Sequence, residues 1–537
     1  MTKGPSTTEE TERILEKRGE DERQQTVATE RQALGLTLRT LLEGVEVRSE
    51  AYAGEVKIRQ VACDSRKVER GALFVAIEGV AADGNKFAKD AVECGAVAIA
   101  SASGRPADWP SNVAWVQVKE PRKALAITAA NFFGRPALAL RLVGVTGTNG
   151  KTTTTSLIDS IVRASGAKTG LFGTIGYRTP RGEYPAPNTT PESVELQSFF
   201  AEIRDAQGKY AVMEASSHAL ALDRLWGCHF AAAVFTNLTR DHIDFHKTFE
   251  SYFAAKKHLF EGTGAGAPDV SVVNTDDEWG KKLAKLSKKT LTYGLTNGSD
   301  LNVKKFQLSF KGLDFTAQTP NGKIQAQSHL VGRINVYNIL AAIGAGIGLG
   351  ISNEVIEAGI RNLEAVAGRF QRIDQGQPFL VVVDYAHTDD ALENLIRTAR
   401  ELNPKGRIIT LFGCGGSRDR TKRPIMGETS GRLSDLSILT SDNPRQEDPL
   451  KIISDIVVGT QKSGGKYVIE ADRAKAIQLA ITEAGAGDMV LLAGKGHEDY
   501  QIFADHTIHF DDREIARKVL RDQGYGEPSG GGPGFGT

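Results

Sequence analysis

The stretch LVGVTGTNGKTTTTSLI, residues 142–158, has the residue types and spacing of a loop that holds phosphate groups. An apolar strand runs into Gly147 and Gly150, where glycine lets backbone N–H groups turn toward phosphate oxygens at the start of a helix. Lys151 can reach the β- and γ-phosphates, and the Thr152 hydroxyl can contact Mg²⁺. The first glycine stands one position early for the GxxxxGK[ST] pattern, so a chance strand, turn and helix is the alternative. The context predicts a nucleoside triphosphate site.

Acidic and imidazole side chains follow two other apolar runs. YAVMEASSHAL places Glu214 at the end of one run, and FTNLTRDHIDFH places Asp241 and His242 after another. A carboxylate and an imidazole at neighbouring strand ends beside a phosphate loop can hold or position Mg²⁺. Taken singly, Glu214 could instead pair with a lysine, and His242 could be an ordinary loop histidine.

The helical pattern SYFAAKKHLF places Lys256 and Lys257 on its polar face. From the pattern alone, both lysines are expected to be solvated charges. The pattern therefore gives neither lysine a chemical role.

The loop LTSDNPRQEDP, residues 439–449, follows an apolar run and carries an arginine on a proline-stiffened turn. Asn443 and Pro444 favour a turn, and a polar surface turn is the ordinary interpretation. Arg445 at the carboxyl end of a strand can also bind a carboxylate through paired hydrogen bonds. The loop by itself leaves both possibilities open.

The composition excludes several classes of protein. The chain has 537 residues, enough for about three domains, and its 66 Lys and Arg balance its 66 Asp and Glu. A net charge of zero argues against a nucleic-acid partner or an acidic membrane surface. The four cysteines are far apart, so neither a zinc site nor a disulfide framework is indicated. The longest uncharged apolar run, ILAAIGAGIGLGI, is too short to span a bilayer and suits a closely packed helix.

From these features we expect a cytoplasmic protein with no nucleic-acid partner and no membrane insertion, and we expect a monomer. Strand patterns alternate with helical patterns, which predicts an α/β fold with parallel, doubly wound sheets that bind ligands at strand carboxyl ends. The predicted units are a flexible extension (1–35), a first domain (36–140), a central domain (141–367), a C-terminal domain (368–525) and a flexible tail (526–537).

The ordered motifs TGTNGKT, MEASSH, TNLTRDHxD, AAK, GRINVYNILAA, AGRFQ and VDYAH resemble those of the Mur ligases, cytoplasmic enzymes that build the peptidoglycan stem peptide. The resemblance covers residues 36 to 525. It implies a substrate-binding α/β domain, a central P-loop ATPase-like domain with a parallel sheet, and a C-terminal Rossmann-like domain. The positions that match the family's shared catalytic set are Lys151, Glu214, His242, Asn335, Asn338, Arg369 and Asp384.

The resemblance implies a role for each matched residue. The ATP-binding residues would be Gly147, Thr148, Asn149, Gly150, Lys151, Thr152, Thr153, Asn335, Asn338 and Arg369. Two Mg²⁺ ions would be held by Thr152, Glu214, His242 and Lys256. Lys256 would be carbamylated by CO₂, which turns a cation into a carboxylate-like ligand. The catalytic set would be Lys151, Glu214, His242, Lys256, Arg369 and Asp384, with His387 a weaker candidate.

Within the family, ACDSRKVERGALFVAIEG resembles the opening of the enzymes that add the third residue, although GVAADG departs from their HQADG form. The implied reaction joins meso-diaminopimelate to UDP-N-acetylmuramoyl-L-alanyl-D-glutamate with ATP, through an acyl phosphate. The UDP-muramoyl dipeptide would contact Ser65, Asn188, Thr189, Thr190, Ser216 and Arg224. Diaminopimelate would contact Arg418, Asp442, Asn443, Pro444, Arg445, Gly494 and Glu498. A lysine-adding relative, a folylpolyglutamate synthetase-like ligase and a non-ligating P-loop switch are the alternatives.

Overall fold

The computed structural model describes residues 35–526 except 53, 80–82, 287–288 and 297. The predicted extension and tail lie almost entirely outside the described residues, and so does half of the GVAADG segment, residues 79–84. Within the described part, no helix is long and apolar enough to cross a membrane.

The first unit is built on a five-stranded sheet with the strand order β2-β7-β6-β5-β4. Its elements are β1 (Leu36–Thr37), α1 (Leu38–Leu41), β2 (Val47–Ala51), β3 (Lys57–Ile58), β4 (Gln60–Ala62), β5 (Ala72–Val75), α2 (Ala88–Glu93), β6 (Ala96–Ser101), β7 (Ala114–Val118) and α3 (Pro121–Phe132). Only β2 runs antiparallel to its neighbour in this sheet. The apolar runs GALFVAI and GAVAIAS form β5 and β6, and both strands are buried because they lie in the interior of the sheet.

The central unit is built on a twelve-stranded sheet. Its first elements are β8 (Arg141–Thr146), α4 (Lys151–Ala164), β9 (Thr169–Phe172), β10 (Tyr177–Thr179), β11 (Gly182–Tyr184), α5 (Ser193–Asp205), β12 (Tyr210–Glu214), α6 (Ser217–Ala221), β13 (Phe230–Phe235), α7 (Ile243–His246) and α8 (Phe249–Glu261). Its remaining elements are β14 (Val270–Asn274), α9 (Glu278–Leu283), β15 (Thr290–Gly294), β16 (Leu301–Asn302), β17 (Phe306–Ser309), β18 (Gly312–Thr319), β19 (Gly322–Ser328), α10 (Ile334–Gly348) and α11 (Asn353–Asn362).

The middle of this sheet is parallel, in the order β9-β12-β8-β13-β14-β15-β16. Antiparallel strands extend it on both sides, β10 and β11 at one margin and β17, β18 and β19 at the other. The sequence analysis did not predict these margins. Their alternating burial is that of antiparallel strands with one solvated face, which differs from the continuous apolar runs of the parallel core.

The C-terminal unit has a six-stranded sheet in the order β20-β21-β25-β22-β23-β24, parallel except for β20. Its elements are β20 (Gln371–Ile373), β21 (Leu380–Asp384), α12 (Asp389–Leu402), β22 (Ile408–Phe412), α13 (Lys422–Leu433), β23 (Leu436–Leu439), α14 (Pro449–Lys462), β24 (Tyr467–Ile469), α15 (Arg473–Glu483), β25 (Met489–Ala493), β26 (Tyr500–Ile502), β27 (Thr507–His509) and α16 (Asp512–Asp522). β26 and β27 form a separate hairpin. The predicted α/β class is confirmed, whereas the exact domain boundaries stay a prediction.

Small residues let the central helices approach the sheet closely. In α10, the helix predicted from the Ala/Gly-rich run, a Cβ added to Gly344 would lie 2.7 Å from Cγ1 of Val272. The close approach packs α10 and α4 on one face of the parallel strands and fixes where each strand ends. In register, Glu214 pairs with Val145 and Phe235 pairs with Thr146, so three carboxyl ends lie side by side.

Candidate active site

A cavity of about 570 Å³ lies where the carboxyl ends of the central and C-terminal sheets face each other. The predicted residues that line it are Thr148, Asn149, Gly150, Lys151, Thr152, Thr153, Asn188, Thr189, Glu214, Ser216, Arg224, His242, Lys256, Asn335, Asn338, Arg369, Asp384, Arg418, Arg445 and Glu498. The predicted residues that do not line it are Ser65, Gly147, Thr190, Asp442, Asn443, Pro444 and Gly494. The structure therefore brings residues from three separate motif groups to one cavity.

The phosphate loop curls around its own lysine. Gly147 and Gly150 have φ angles of 143° and 87°, which a side chain would strain. Nζ of Lys151 donates hydrogen bonds to the carbonyl oxygens of Gly147, at 3.0 Å, and Thr148, at 2.8 Å. The loop is held to the next strand because the backbone N–H of Asn149 donates to Oδ1 of Asn237 at 2.9 Å.

Glu214 lies beside Thr152 at the end of β12 and is only 1% exposed. Its Oε1 accepts hydrogen bonds from the Thr152 hydroxyl at 2.9 Å and from the backbone N–H of Thr174 at 2.8 Å. These donors compensate a buried carboxylate. A carboxylate beside a hydroxyl is also an oxygen set that Mg²⁺ prefers. Among the described residues, no three or more His, Cys, Asp or Glu side chains are grouped so that they could hold a metal by themselves.

Lys256 lies on α8 and is buried, only 1% exposed, so the solvated charge expected from its helical pattern is wrong. Its Nζ donates to the Gly147 carbonyl oxygen at 2.7 Å and lies 4.4 Å from the ring centroid of Tyr252. Burial lowers the pKa of Lys256 well below its ordinary value, and the nearby Lys151 lowers it further. The neighbouring Lys257 is the surface charge, paired with Glu261 at 2.5 Å. Lys256 is therefore an amine that the fold holds toward its neutral form.

His242 lies between a carboxylate and a second imidazole. Its Nε2 is 3.3 Å from a carboxylate oxygen of Asp241, and its ring centroid is 4.8 Å from that of His218. Burial lowers the pKa of His242, which favours the neutral imidazole that can ligate a metal. The sequence analysis missed His218, although it lies in the SSH part of a quoted motif.

The C-terminal unit reaches the phosphate loop through Arg369, whose guanidinium donates to the Thr152 hydroxyl at 3.2 Å. Arg369 also lies 4.8 Å from the Tyr385 ring centroid. Asp384 accepts hydrogen bonds from the backbone N–H groups of Phe370, at 2.7 Å, and Ala386, at 2.8 Å. Burial raises the pKa of Asp384, and Arg369 opposes that shift. Asp384 thus holds the backbone that carries Arg369.

Two asparagines of α10 complete this end of the cavity. The Asn335 side chain donates to the Val331 carbonyl at 2.7 Å, and Asn338 donates to Oδ1 of Asn335 at 2.8 Å.

A second contact between the central and C-terminal units was not predicted: the Asn149 side chain donates to a carboxylate oxygen of Asp390 at 2.7 Å. No sequence motif indicates Asp390, because the contact depends on how two units pack.

At the other end of the cavity, Arg418 and Arg445 lie near each other, and within the described part of the chain neither forms an ion pair with an acidic side chain. Burial lowers the pKa of Arg445, and the charge of Arg418 lowers it further. Among the described residues, the Arg445 guanidinium donates to two backbone carbonyls and to no side chain; the acceptors are Gly416 at 3.2 Å and Asn443 at 3.5 Å. This end of the cavity is suited to an anion.

Glu498 adds a carboxylate next to the two arginines. Its Oε2 accepts a hydrogen bond from the Asn443 side chain at 2.9 Å, and Nζ of Lys495 lies 3.3 Å away. Lys495 is fully buried and also contacts Asp442 at 3.6 Å, so Asp442 and Asn443 support the site from behind its wall. Lys495 was not among the predicted residues, although it stands between Gly494 and Glu498 in the segment AGKGHEDY, residues 493–500.

The residues predicted for the UDP-muramoyl substrate separate into two places. Ser65 lies on a short 3₁₀ helix, Ser65–Lys67, in the first unit and outside the cavity. Ser216 and Arg224 line the cavity, and the Arg224 guanidinium donates to the Thr190 carbonyl at 2.9 Å. Thr190 is fully buried, and its hydroxyl donates to the Glu214 carbonyl at 2.7 Å. Thr190 therefore stabilises the wall of the cavity from behind and does not line it.

Known proteins match the chain over nearly its whole described length. The family descriptions are Mur ligase family, catalytic domain (residues 57–133), Mur ligase middle domain (145–346), and Mur ligase, glutamate ligase domain (368–496). The UDP-N-acetylmuramoyl-L-alanyl-D-glutamate--2,6-diaminopimelate ligase of Solibacter usitatus is 53% identical over 473 residues, 88% of this chain and 95% of that protein. The chain belongs to the Mur ligase family.

Two further relatives agree with this membership. The protein of the same name from Geobacter sulfurreducens is 46% identical over 88% of this chain and 96% of its own length. A solved structure of a UDP-N-acetylmuramoyl-L-alanyl-D-glutamate--2,6-diaminopimelate ligase is 33% identical, with a TM-score of 0.62, over 87% of this chain and 96% of that one. The family prediction made from the ordered motifs is confirmed.

Because its amine is buried, we expect Lys256 to lower the stability of the folded Mur ligase. Because the folded-state pKa of Lys256 is lowered, the unfolded chain binds more protons between that pKa and the ordinary lysine value, so stability rises with pH there. Lys256→Met should raise the free energy of unfolding by about 1–4 kcal/mol at pH 7, and by less at pH 9.5. Urea denaturation in CO₂-free buffer measures both values.

The matched control is Lys257→Met, which removes a partly exposed lysine one position away. It should change the stability little and equally at both pH values. A Lys256→Met variant that is no more stable than the unsubstituted chain at pH 7 would contradict the cost assigned to the buried ammonium.

Proposed function

We propose that this chain is an ATP-dependent ligase that joins meso-diaminopimelate to UDP-N-acetylmuramoyl-L-alanyl-D-glutamate in peptidoglycan precursor synthesis. The observation that carries the proposal is the pair Arg418 and Arg445, which forms no ion pair with an acidic side chain among the described residues and lies near Glu498 in the cavity that also contains the phosphate loop. The activity named for the relatives that are 53% and 46% identical supports the same conclusion.

The charges at this end of the cavity complement diaminopimelate. The far end of this amino acid carries both a carboxylate and an ammonium group, whereas lysine has no far carboxylate. Arg418 and Arg445 can bind the carboxylate through paired hydrogen bonds, and Glu498 can pair with the ammonium. Lysine would leave the half-buried Arg445 and its neighbour Arg418 without an anion, which disfavours it. Asp442, Asn443, Pro444 and Gly494 form the support behind these three side chains.

The phosphate end of the cavity suits activation of a carboxylate. The substrate carboxylate attacks the γ-phosphorus of ATP, which forms an acyl phosphate and releases ADP. The amine of the amino acid then attacks the acyl carbon, the tetrahedral intermediate expels phosphate, and the amine loses a proton. Lys151 and Arg369 stabilise the negative charge that accumulates on the phosphoryl oxygens. Asn335 and Asn338, next to the loop, are assigned to the nucleotide.

The donor set fits Mg²⁺, since the Thr152 hydroxyl and the Glu214 carboxylate are adjacent oxygen donors and the His242 imidazole is held neutral. We assign Thr152, Glu214, His242 and carbamylated Lys256 as the residues that hold two ions. Bound there, Mg²⁺ supplies positive charge opposite the phosphoryl oxygens.

Carbamylation of Lys256 follows from its environment. A neutral amine adds to CO₂, and loss of one proton leaves a carbamate with a negative charge. The depressed pKa of Lys256 supplies the neutral amine at ordinary pH. The product is an anionic oxygen ligand for a cation, whereas an unmodified ammonium would repel one.

The substrate assignment predicts phosphate release that requires all three substrates. With ATP and Mg²⁺, the purified chain should release phosphate only when the UDP-muramoyl dipeptide and meso-diaminopimelate are both present. Equal turnover with L-lysine at low concentration would refute the assignment. A non-ligating P-loop switch would give slow turnover that amino acids do not change.

Removal of one guanidinium should weaken binding of the amino acid more than binding of the nucleotide. Arg445→Ala should raise the KM for diaminopimelate by about 30-fold or more, because a desolvated arginine–carboxylate pair contributes about 2–5 kcal/mol. The KM for ATP should change by less than about twofold, since Arg445 lies at the far end of the cavity. Steady-state phosphate release measures both constants, and a parallel rise in both would contradict the assignment.

The carbamate assignment predicts chemical rescue. Lys256→Ala should lose activity, and millimolar acetate or formate should restore part of it, since a small carboxylate can occupy the position of the carbamate. Lys257→Ala is the matched control and should keep its activity without added acid. Absence of rescue in a folded Lys256→Ala protein would count against the carbamate while leaving the ligase proposal intact.

A further inference from the structure

The loops that carry Arg418 and Arg445 are joined by hydrogen bonds between their backbones and side chains. The backbone N–H of Gly416 donates to the Asn443 carbonyl at 2.9 Å, and the Arg445 guanidinium donates back to the Gly416 carbonyl at 3.2 Å. A Cβ on Gly416 would collide with the Pro444 carbonyl oxygen, so only glycine fits there. The two arginines thus stand on loops in close contact.

Glu447 connects these loops to the interior of the domain. Its Oε1 accepts a hydrogen bond from the backbone N–H of Ser417 at 2.5 Å and another from Arg423 at 2.8 Å, and its Oε2 accepts from Arg423 at 3.0 Å. The Arg423 side chain is completely buried. Hydrogen bonding from Arg423 lowers the pKa of Glu447 to about 2, so its carboxylate stays charged near neutral pH. Glu447 stands two positions after Arg445. Its carboxylate therefore ties the Arg445 loop to Ser417, the residue before Arg418, and to the buried Arg423.

Two features show that the loops need to be held. Ser417 and Arg445 have φ angles of 53° and 52°, a left-handed conformation that is unfavourable for residues with a side chain. Burial lowers the pKa of Arg445 and the charge of Arg418 lowers it further, so the two neighbouring guanidinium groups also repel each other. Strain and like-charge repulsion would both let the loops relax apart if nothing opposed them.

We propose that Glu447 is a positioning residue for amino-acid selectivity, which sets the distance between Arg418 and Arg445 by holding both loops on the buried Arg423. The inference rests on the proposed function, since it assigns the two arginines to the far carboxylate of the amino acid. A planar carboxylate accepts paired hydrogen bonds from two guanidinium groups only over a narrow range of separations. Glu447 itself touches no substrate.

Asp455 offers a matched control. It accepts a hydrogen bond from the same Arg423 at 2.9 Å and lies 3.5 Å from Arg420 on the Arg418 loop, but among the described contacts it has no hydrogen bond to the backbone of either arginine loop. Asp455→Asn therefore perturbs the buried Arg423 as Glu447→Gln does, while leaving the link to Ser417 in place. A purely structural role would make the two variants alike.

The test compares steady-state kinetics and thermal unfolding of the full-length variants. Glu447→Gln should raise the KM for meso-diaminopimelate about tenfold, with kcat and the KM for ATP within about twofold. The preference for diaminopimelate over L-lysine should fall by a similar factor. Asp455→Asn should leave these constants near those of the unsubstituted chain even where it lowers Tm.

Glu447→Asp is the second variant, since its shorter side chain keeps the charge for Arg423 but cannot also reach Ser417. It should raise the KM for diaminopimelate by a smaller factor, and it decides the question if Glu447→Gln does not fold. An unchanged KM in a folded variant, or an equal rise in Asp455→Asn, would overturn the inference while the ligase proposal stands. No diaminopimelate-dependent phosphate release from the unsubstituted chain would overturn both.

Discussion

Two lysine amines donate to one carbonyl oxygen, that of Gly147, and the rest of the active site is arranged around this concentration of positive charge. Lys151 reaches it at 3.0 Å from its own loop, and Lys256 reaches it at 2.7 Å from α8. One backbone carbonyl cannot neutralise two buried ammonium groups, so one of them is driven toward the neutral amine. The fold thereby prepares an anion-binding loop and a nucleophilic amine side by side.

The same physical logic governs the opposite end of the cavity. Within the described part of the chain, Arg418 and Arg445 form no ion pair with an acidic side chain, whereas the buried Arg423 a few residues away forms two, with Glu447 and Asp455. Ion pairs with acidic side chains therefore hold Arg423 in the interior. The two arginines that face the cavity form no such pair among the described residues. That distribution separates the cations that hold the fold from those available to a ligand.

Sequence alone predicted the cavity residues that stand in local motifs, because a strand end, a glycine turn and a helix start are encoded within a few residues of one another. The burial of Lys256 was not predictable, since it depends on α8 lying over the phosphate loop, more than a hundred residues away along the chain. Asn443 was assigned to the amino acid from its motif, yet its side chain is used by Glu498 and by the backbone of Ile502. The contact of Asn149 with Asp390 depends on the packing of two units, which no local pattern reports.

The antiparallel margins show a different limit of sequence-based inference. Parallel strands buried on both faces give continuous apolar runs, and such runs predicted the central strands of each sheet. The strands β18 and β19 alternate instead, and β19 packs against α11, where the backbone N–H of Gln325 donates to Glu357 at 2.7 Å. These strands support the far side of α10, the helix that carries Asn335 and Asn338 at its start. The antiparallel strands, which the sequence did not predict, therefore help to position Asn335 and Asn338, which the motifs indicated directly.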